Sequence, residues 1–358
     1  MKATQQLHDL GQSLWLDNIT REMLDSGTLK RYIDELSVTG LTSNPTIFDH
    51  AMTHGNAYDA EMGKLMSSGL SAEDAFFEMA IADLRRAADL FAPIHERTAT
   101  ADGWVSLEVS PLLAYDAKTT VEVAKTLHQK AARPNLFIKI PGTPEGRAAI
   151  EEAIFAGVSV NVTLLFSREH YLGAADAYMR GLERRVQAGL SPDVRSVASL
   201  FVSRWDKATM DKVPGELRDK LGPAIGTQAY KAYRDVLESD RWQRLANVGA
   251  RAQRLLFAST GTKDPKASDV LYIAALAAPN TVDTMPEETL LAFGQHGSVG
   301  GVLPRDGGDC EQVLAAFSRS GIDQDKLGAD LQSEGATSFD ESWKDLLSSI
   351  ENKSKALK

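Results

Sequence analysis

Cysteine is almost absent from this sequence, because Cys310 is the only one among 358 residues. A single thiol excludes an intrachain disulfide framework and a metal site built from several cysteines. Long apolar runs are also missing: the longest uncharged stretch is 289–304, which contains several glycines and is too short to cross a bilayer. Residues 1–6 lack the apolar run of a secretion signal. We therefore expect a cytoplasmic protein that does not bind membranes.

Positively charged residues are fewer than negatively charged ones. Lys and Arg total 39 against 49 Asp and Glu, so the formal net charge is −10. An acidic total argues against nucleic-acid binding, which needs a basic surface, but it permits a local basic pocket for an anionic small molecule. The 43% hydrophobic and 25% charged fractions are those of a globular chain and exclude a disordered one. His50 and His54 lie four apart without a third ligand, so no metal site is expected.

Short apolar runs of strand length alternate with longer helical stretches. Eight such runs occur, at 13–18, 38–43, 105–109, 136–140, 158–163, 197–203, 255–259 and 280–284. Alternating strands and helices are typical of parallel βαβ units, and a count near eight favours a closed (β/α)8 TIM barrel over an open sheet. The long interval 44–104 predicts extra helices after the second strand. Residues 305–358 predict C-terminal helices packed on the barrel, so that residues 1–358 form a single domain.

Lys139 is the most informative residue, because it lies inside the apolar run 136–141. Strand alternation puts Phe137 and Lys139 on one face, and both faces of a strand in a parallel barrel are buried. An unpaired ammonium there is costly, which favours a neutral and nucleophilic amine. Schiff-base chemistry on a carbonyl requires such an amine. For this segment alone, a strand-end lysine that extends its amine to water is an equal alternative.

Polar residues recur at the carboxyl ends of the other predicted strands, where the active sites of such barrels form. They are Asp17, Thr42, Asn44, Glu108, Asn161, Thr163, Ser199 and Arg204. A single buried polar residue is usually a hydrogen-bonded core group. A lysine, two carboxylates, two amides and an arginine at the same end of one barrel favour a catalytic site instead.

Seven segments together resemble the transaldolase family, and they occur in the family's order. They are 16–18, 40–46, 107–111, 138–141, 161–167, 199–204 and 258–263. The motifs Thr-x-Asn-Pro, Ile-Lys-Ile-Pro and Asn-x-Thr-Leu-Leu-Phe-Ser are highly specific in combination, and the long interval after the second strand resembles the longer bacterial branch. The resemblance implies a (β/α)8 barrel of the pentose phosphate pathway. Such enzymes move a dihydroxyacetone unit from sedoheptulose 7-phosphate to glyceraldehyde 3-phosphate, giving erythrose 4-phosphate and fructose 6-phosphate.

The resemblance also implies roles for four catalytic residues. Lys139 would form the Schiff base, and Asp17 would take and return the proton of the substrate C4 hydroxyl. Glu108 and Thr163 would hold the water that shuttles protons while the imine forms. No metal or organic cofactor is implied, because the protonated imine is itself the electron sink.

A second group of implied residues binds the substrate. They are Thr42, Asn44, Asn161, Ser199, Phe201, Arg204, Ser259 and Lys263. One position departs from the family: Gly261 stands where better-known transaldolases carry a second phosphate-binding arginine. Arg204 and Ser259 remain, and Lys263 with the backbone amides around Gly261 would complete the anion site.

Two other functions stay open. A fructose 6-phosphate aldolase shares the barrel and the lysine but releases free dihydroxyacetone; those chains are much shorter, and Glu108 with its water favours transfer. A catalytically silent barrel that binds sugar phosphates would not need Lys139 together with both carboxylates. Small-molecule sugar phosphates are the expected partners, and a homodimer is left open.

Overall fold

The computed structural model describes residues 1–357, in which eight strands close into one parallel barrel in chain order. The strands are β1 Ser13–Asp17, β2 Val38–Thr42, β3 Val105–Glu108, β4 Leu136–Pro141, β5 Val160–Leu165, β6 Ser196–Phe201, β7 Arg254–Ala258 and β8 Val282–Met285. Each strand is parallel to the next, and β8 pairs with β1 to close the ring. The predicted (β/α)8 barrel is confirmed.

Helices surround this barrel and fill the long interval after β2. Within the described residues they are α1 Ala3–Asp9, α2 Arg21–Asp25, α3 Thr28–Leu36, α4 Pro45–Thr53, α5 Asp59–Ser67, α6 Ala72–Arg97, α7 Ala117–Ala131, α8 Gly146–Phe155, α9 Arg168–Gln187, α10 Ser203–Thr209, α11 Leu221–Glu238, α12 Asp240–Asn247, α13 Leu271–Ala275, α14 Glu287–His296, α15 Cys310–Arg319 and α16 Gln324–Ala356. Two 3₁₀ turns, Pro111–Leu113 and Gly215–Leu217, complete the elements. Among residues 1–357, no helix has the length and apolar content that a membrane span requires.

Short polar side chains mark where several helices begin. The Ser71 hydroxyl accepts a hydrogen bond from the Asp74 N–H at the start of α6, and the Ser167 hydroxyl accepts one from the His170 N–H at the start of α9. Such caps satisfy N–H groups that have no partner within the helix. The strands between the helices are buried on both faces, which is why they appear in the sequence as short, nearly continuous apolar runs.

Aromatic rings fill the amino end of the barrel. Trp15 of β1 and Phe137 of β4 have ring centroids 6.2 Å apart, and Trp104 stacks on Phe137 at 4.0 Å. Gly40 on β2 makes room for this layer, because a Cβ there would lie 2.7 Å from the Trp15 ring. The polar residues that close the strands lie on the opposite side of this aromatic layer, at the carboxyl end of the barrel.

The 33-residue helix α16 crosses the carboxyl end of the barrel. Its Gln332 donates a hydrogen bond to the Leu164 carbonyl of β5 at 2.8 Å. Phe339 lies 6.5 Å from Phe201 of β6, measured between ring centroids, and Trp343 packs edge-on against Phe76 of α6 at 5.0 Å. The C-terminal helix is therefore part of the wall around the strand ends.

Candidate active site

A buried ion pair links two adjacent strands at this end of the barrel. The β3–β4 register sets Glu108 beside Lys139, and Lys139 Nζ donates to Glu108 Oε2 at 2.9 Å and to the Ser43 carbonyl at 3.3 Å. The two side chains are only 6% and 4% exposed. The sequence pattern did not reveal this pairing, because it does not show which residues of neighbouring strands stand side by side.

Burial raises the pKa of Glu108 above its ordinary value, and the charge of Lys139 offsets part of that rise. A carboxyl group with a raised pKa is a better proton acceptor than an ordinary surface glutamate. Transfer of the shared proton from Lys139 to Glu108 leaves a neutral amine beside a neutral acid. The pair can therefore supply a nucleophile without an unpaired charge in the core.

A cavity of about 250 Å³ opens beside the amine. Nine of the twelve site residues predicted from the sequence line it, namely Asp17, Thr42, Asn44, Lys139, Thr163, Ser199, Phe201, Arg204 and Ser259. Five further lining residues were not predicted, namely Thr46, Ile47, Ala258, Thr284 and Phe339. Glu108, Asn161 and Lys263 are not part of the wall. The strand-end pattern thus located most of the cavity.

Asp17 ends β1 and is held by a short chain of hydroxyl groups. The Thr42 hydroxyl donates to Asp17 Oδ1 at 2.7 Å, and Thr42 Oγ1 lies 2.7 Å from Thr284 Oγ1 on β8. Since Thr42 donates to the carboxylate, Thr284 donates to Thr42. Burial raises the pKa of Asp17, while the charge of Lys139 and the bond from Thr42 lower it. Because these effects on its pKa oppose one another, the Asp17 carboxyl group can take up and return a proton.

Two buried oxygen atoms near the amine have no hydrogen-bond partner within residues 1–357. They are Glu108 Oε1 and Thr163 Oγ1. Buried polar atoms nearly always have a partner, so each of these two oxygen atoms can accept a further hydrogen bond.

Amide side chains organise the floor and one wall of the site. Ser199 Oγ donates to Asn161 Oδ1 at 2.7 Å, and Asn161 Nδ2 donates to Ser106 Oγ at 3.1 Å. Asn161 is fully buried, so the structure places it beneath Ser199 rather than on the cavity wall. Asn44 Oδ1 accepts a hydrogen bond from the Ile47 N–H and caps α4, which leaves its Nδ2 for a ligand.

Arg204 provides a positive charge at the β6–β7 side of the cavity. Its guanidinium lies 5.5 Å from the Phe201 ring centroid and has no ion-pair partner within 4 Å in the described part of the chain. Burial lowers the pKa of Arg204. Ser259 has a left-handed backbone with φ +57°, and its Oγ lies 2.9 Å from Ser203 Oγ. An arginine beside two hydroxyl groups suits an anionic oxygen ligand.

Lys263 is exposed and lies next to the glycine that departs from the family pattern. A Cβ built at Gly261 would lie 3.7 Å from Lys263 Nζ, so the amine stands near where a longer side chain at position 261 would begin. Although the residue as a whole is exposed, partial burial of its amine lowers the pKa of Lys263; Glu288 raises it, and the charges of Lys207 and Arg204 lower it further. Positive charge therefore clusters around Arg204.

Phe339 is the wall residue that sequence reasoning missed most completely. Its ring centroid lies 5.4 Å from Lys139 Nζ, and the residue is buried. It belongs to α16, which the sequence presents only as a helix with apolar residues at helical intervals. Nothing in that spacing distinguishes an aromatic ring over the active site from one in the core.

The fold and the cavity define a (β/α)8 barrel whose carboxyl end carries a buried lysine–carboxylate pair and a free arginine. A family model described as Transaldolase/Fructose-6-phosphate aldolase matches residues 14–350. The chain belongs to this family.

Relatives match along nearly the whole chain. A protein named Transaldolase from Thermobifida fusca is 44% identical over 97% of this chain and 96% of its own length. One of the same name from Saccharopolyspora erythraea is 45% identical over 96% of this chain and 95% of its own. Transaldolase 2 of Streptomyces coelicolor is 42% identical over 99% of this chain and 98% of its own. The resemblance found in the sequence is confirmed.

Proposed function

We propose that this chain is a transaldolase that works through a Schiff base on Lys139. It would move a dihydroxyacetone unit from sedoheptulose 7-phosphate to glyceraldehyde 3-phosphate, giving erythrose 4-phosphate and fructose 6-phosphate. The observation that carries the proposal is the buried Lys139–Glu108 pair, 2.9 Å apart, whose lysine lines a cavity with several polar side chains. The full-length similarity to proteins named transaldolase supports transfer rather than simple cleavage.

Imine formation uses the pair and the two oxygen atoms that lack partners. Glu108 takes the proton of Lys139, and Nζ attacks C2 of the ketose to form a carbinolamine. A water molecule bound by Glu108 Oε1 and Thr163 Oγ1 moves protons to and from the carbinolamine oxygen, which leaves as water. The product is a protonated imine at C2.

Cleavage and transfer use Asp17. Its carboxylate takes the proton of the C4 hydroxyl, the C3–C4 bond breaks, and the electron pair moves through C3 and C2 to the imine nitrogen. The aldose phosphate leaves, and the remaining enamine attacks the carbonyl carbon of the acceptor aldehyde. Asp17 returns its proton to the new alkoxide, and hydrolysis of the imine frees the ketose and Lys139. The imine is the electron sink, so the scheme needs no metal or organic cofactor.

The remaining site residues hold the substrate. Asn44 Nδ2 and the Ser199 hydroxyl would bind hydroxyls of the three-carbon unit, while buried Asn161 orients Ser199 from below. This fixes the enamine until an acceptor arrives. The phosphate would lie against Arg204 and Ser259, with the Lys263 amine supplying the charge that an arginine at position 261 gives other members. We propose that the protein acts in the pentose phosphate pathway and in the cytoplasm.

One assay separates transfer from the two alternatives. The protein is incubated with fructose 6-phosphate, with and without erythrose 4-phosphate, and the products are identified by mass spectrometry. A transaldolase forms glyceraldehyde 3-phosphate and sedoheptulose 7-phosphate when the acceptor is present. Steady release of free dihydroxyacetone without acceptor indicates an aldolase, and no product in either mixture indicates a binding protein.

A further inference from the structure

Leu164 has a backbone conformation that leucine rarely adopts. Its φ is +59°, in the left-handed region, although the residue lies within β5 and is 1% exposed. The β5–β6 register breaks here, because the pair after Val162–Ala198 is Leu165–Leu200. β5 thus contains one extra residue, a bulge that bends the strand directly after Thr163. Such a conformation persists only where the surroundings hold it.

The side chain of Gln332 holds this bulge from the C-terminal helix. Its Nε2 donates to the Leu164 carbonyl at 2.8 Å and to the Gly142 carbonyl at 3.3 Å, and the residue is 8% exposed. Gly142 follows β4, and its N–H donates to the Thr163 carbonyl at 2.7 Å. A Cβ at Gly142 would meet Leu165 Cδ2 and lie 2.9 Å from Val162 Cγ1, so a larger residue there would force these β5 side chains to shift. We call Gln332, Gly142 and Leu164 the β4–β5 clamp.

We propose that Gln332 is a positioning residue, which through the β4–β5 clamp sets the Thr163 hydroxyl relative to the Lys139 amine. Thr163 precedes the bulge and pairs with Pro141, two residues beyond Lys139. A shift of the bulge therefore changes the position of the Thr163 hydroxyl relative to the Lys139 amine. The proposal rests on the proposed function, in which Thr163 helps to hold the water of imine formation.

The same face of α16 contacts the rest of the site. Residues three and four positions apart share a helix face, which groups Gln332 with Gly335 and Phe339. A Cβ at Gly335 would lie 3.1 Å from Leu164 Cδ2 and 3.3 Å from Arg204 Nη1, so the helix packs closely there. This close packing holds α16, and with it the Gln332 side chain, in a fixed position relative to β5.

The test replaces Gln332 with leucine, which removes both donors but keeps a similar size and good helix propensity. Because displacing a catalytic group by about 1 Å can cost about 10²-fold, we expect kcat to fall about 10- to 100-fold. The rate of borohydride-trapped adduct formation on Lys139 with fructose 6-phosphate should fall equally. KM should change less than about threefold, because the phosphate site around Arg204 keeps its groups.

Two further variants separate positioning from packing. Gln324→Leu makes the same substitution in the same helix, where Nε2 donates to the Leu314 carbonyl at 2.6 Å away from the cavity; it should keep the wild-type rates. Gln332→Glu keeps the shape of the side chain but replaces the donating NH₂ group with a carboxylate oxygen that faces two carbonyl oxygens. At neutral pH this variant should therefore lose at least as much activity as Gln332→Leu. A role in filling space would make the glutamate variant the better tolerated of the two.

The possible results distinguish a failure of the Gln332 proposal from a failure of the proposed function. A folded Gln332→Leu variant that labels Lys139 at the wild-type rate overturns the proposal, as does an equal loss in Gln324→Leu. If the leucine variant does not fold, the glutamate variant decides, and near-normal activity there contradicts the proposal. A wild-type protein that leaves no adduct on Lys139 shows instead that the proposed function is wrong.

Discussion

Asp17 and Glu108 both feel the charge of Lys139. Burial raises the pKa of both carboxyl groups, the charge of Lys139 lowers both, and the charge of Asp17 adds to the rise at Glu108. The hydrogen bonds nevertheless differ: Glu108 contacts the amine directly, and Asp17 is held by Thr42.

That difference predicts which step each carboxylate serves. Glu108→Gln keeps the size but removes the proton acceptor, so imine formation should slow by about 10²- to 10⁴-fold. Asp17→Asn should still form the imine with fructose 6-phosphate but fail to cleave it. The adduct trapped on Lys139 should then carry the whole six-carbon sugar phosphate instead of a three-carbon unit.

The mass of the borohydride-reduced adduct in each variant is the measurement. Asp17→Asn that yields a three-carbon adduct at the normal rate would remove Asp17 from the cleavage step. Thr42→Val is a useful comparison, because it removes the bond that orients Asp17 and should slow cleavage without abolishing it.

The phosphate assignment is tested at Arg204. Arg204→Ala should raise KM for phosphorylated substrates about 10- to 100-fold, since a charged hydrogen bond contributes about 1.5–3 kcal/mol. Unphosphorylated dihydroxyacetone as a donor should be much less affected. Lys263→Ala should show a smaller effect of the same kind, because Lys263 is more exposed. Equal losses on both kinds of donor would mean that the two residues support the fold instead.

At the scale of the elements, a buried carboxyl group joins β8 to the turn after β7. Thr260 Oγ1 lies 2.9 Å from Asp283 Oδ1 and 3.0 Å from the Thr284 carbonyl oxygen, yet a hydroxyl has only one hydrogen to donate. Burial raises the pKa of Asp283 to about 7. A neutral Asp283 that donates from Oδ1 to Thr260 leaves the Thr260 hydrogen for the Thr284 carbonyl, while Asp283 Oδ2 has no partner within residues 1–357. The turn that carries Ser259 is thereby tied to β8.

This acid predicts a pH dependence of stability. Unfolding returns the Asp283 carboxyl to an ordinary pKa of 3.8, so the folded state binds more protons between about pH 4 and 7 and loses stability as the pH rises through that window. Asp283→Asn stays neutral throughout. Its stability relative to wild type should therefore rise by up to roughly 4 kcal/mol from pH 4 to 8, at 1.36 kcal/mol per unit.

Urea unfolding of both proteins at several pH values measures this difference, in which the contributions of other groups cancel. A difference between variant and wild type that does not change with pH would contradict a neutral Asp283 in the fold.

The sequence predicted elements better than the contacts between them. The apolar runs located Lys139 and Glu108 on strands, because these runs have a clear length and period. Their pairing depends on the β3–β4 register, which the runs do not specify. Gln332 and Phe339 could not be found at all, since their roles come from where α16 crosses the barrel. The division into a single domain of residues 1–358 stays a prediction.

At the scale of the whole molecule, the two ends of the barrel differ in the side chains that fill them. The amino end is filled by stacked aromatic rings, and the carboxyl end holds the polar cavity beneath α16. The formal net charge is −10, yet Arg204, Lys207 and Lys263 gather positive charge beside the cavity. An acidic surface with a local basic site suits a small anionic substrate.

The central claim is that Lys139 forms the covalent bond to substrate, and borohydride trapping tests it most directly. Wild-type protein is incubated with fructose 6-phosphate and borohydride, digested, and mapped by peptide mass spectrometry. The proposed function predicts a three-carbon adduct on Lys139, and none in a Lys139→Met variant that keeps the wild-type circular dichroism spectrum. An adduct on another lysine, or an unlabelled wild-type protein, would contradict it.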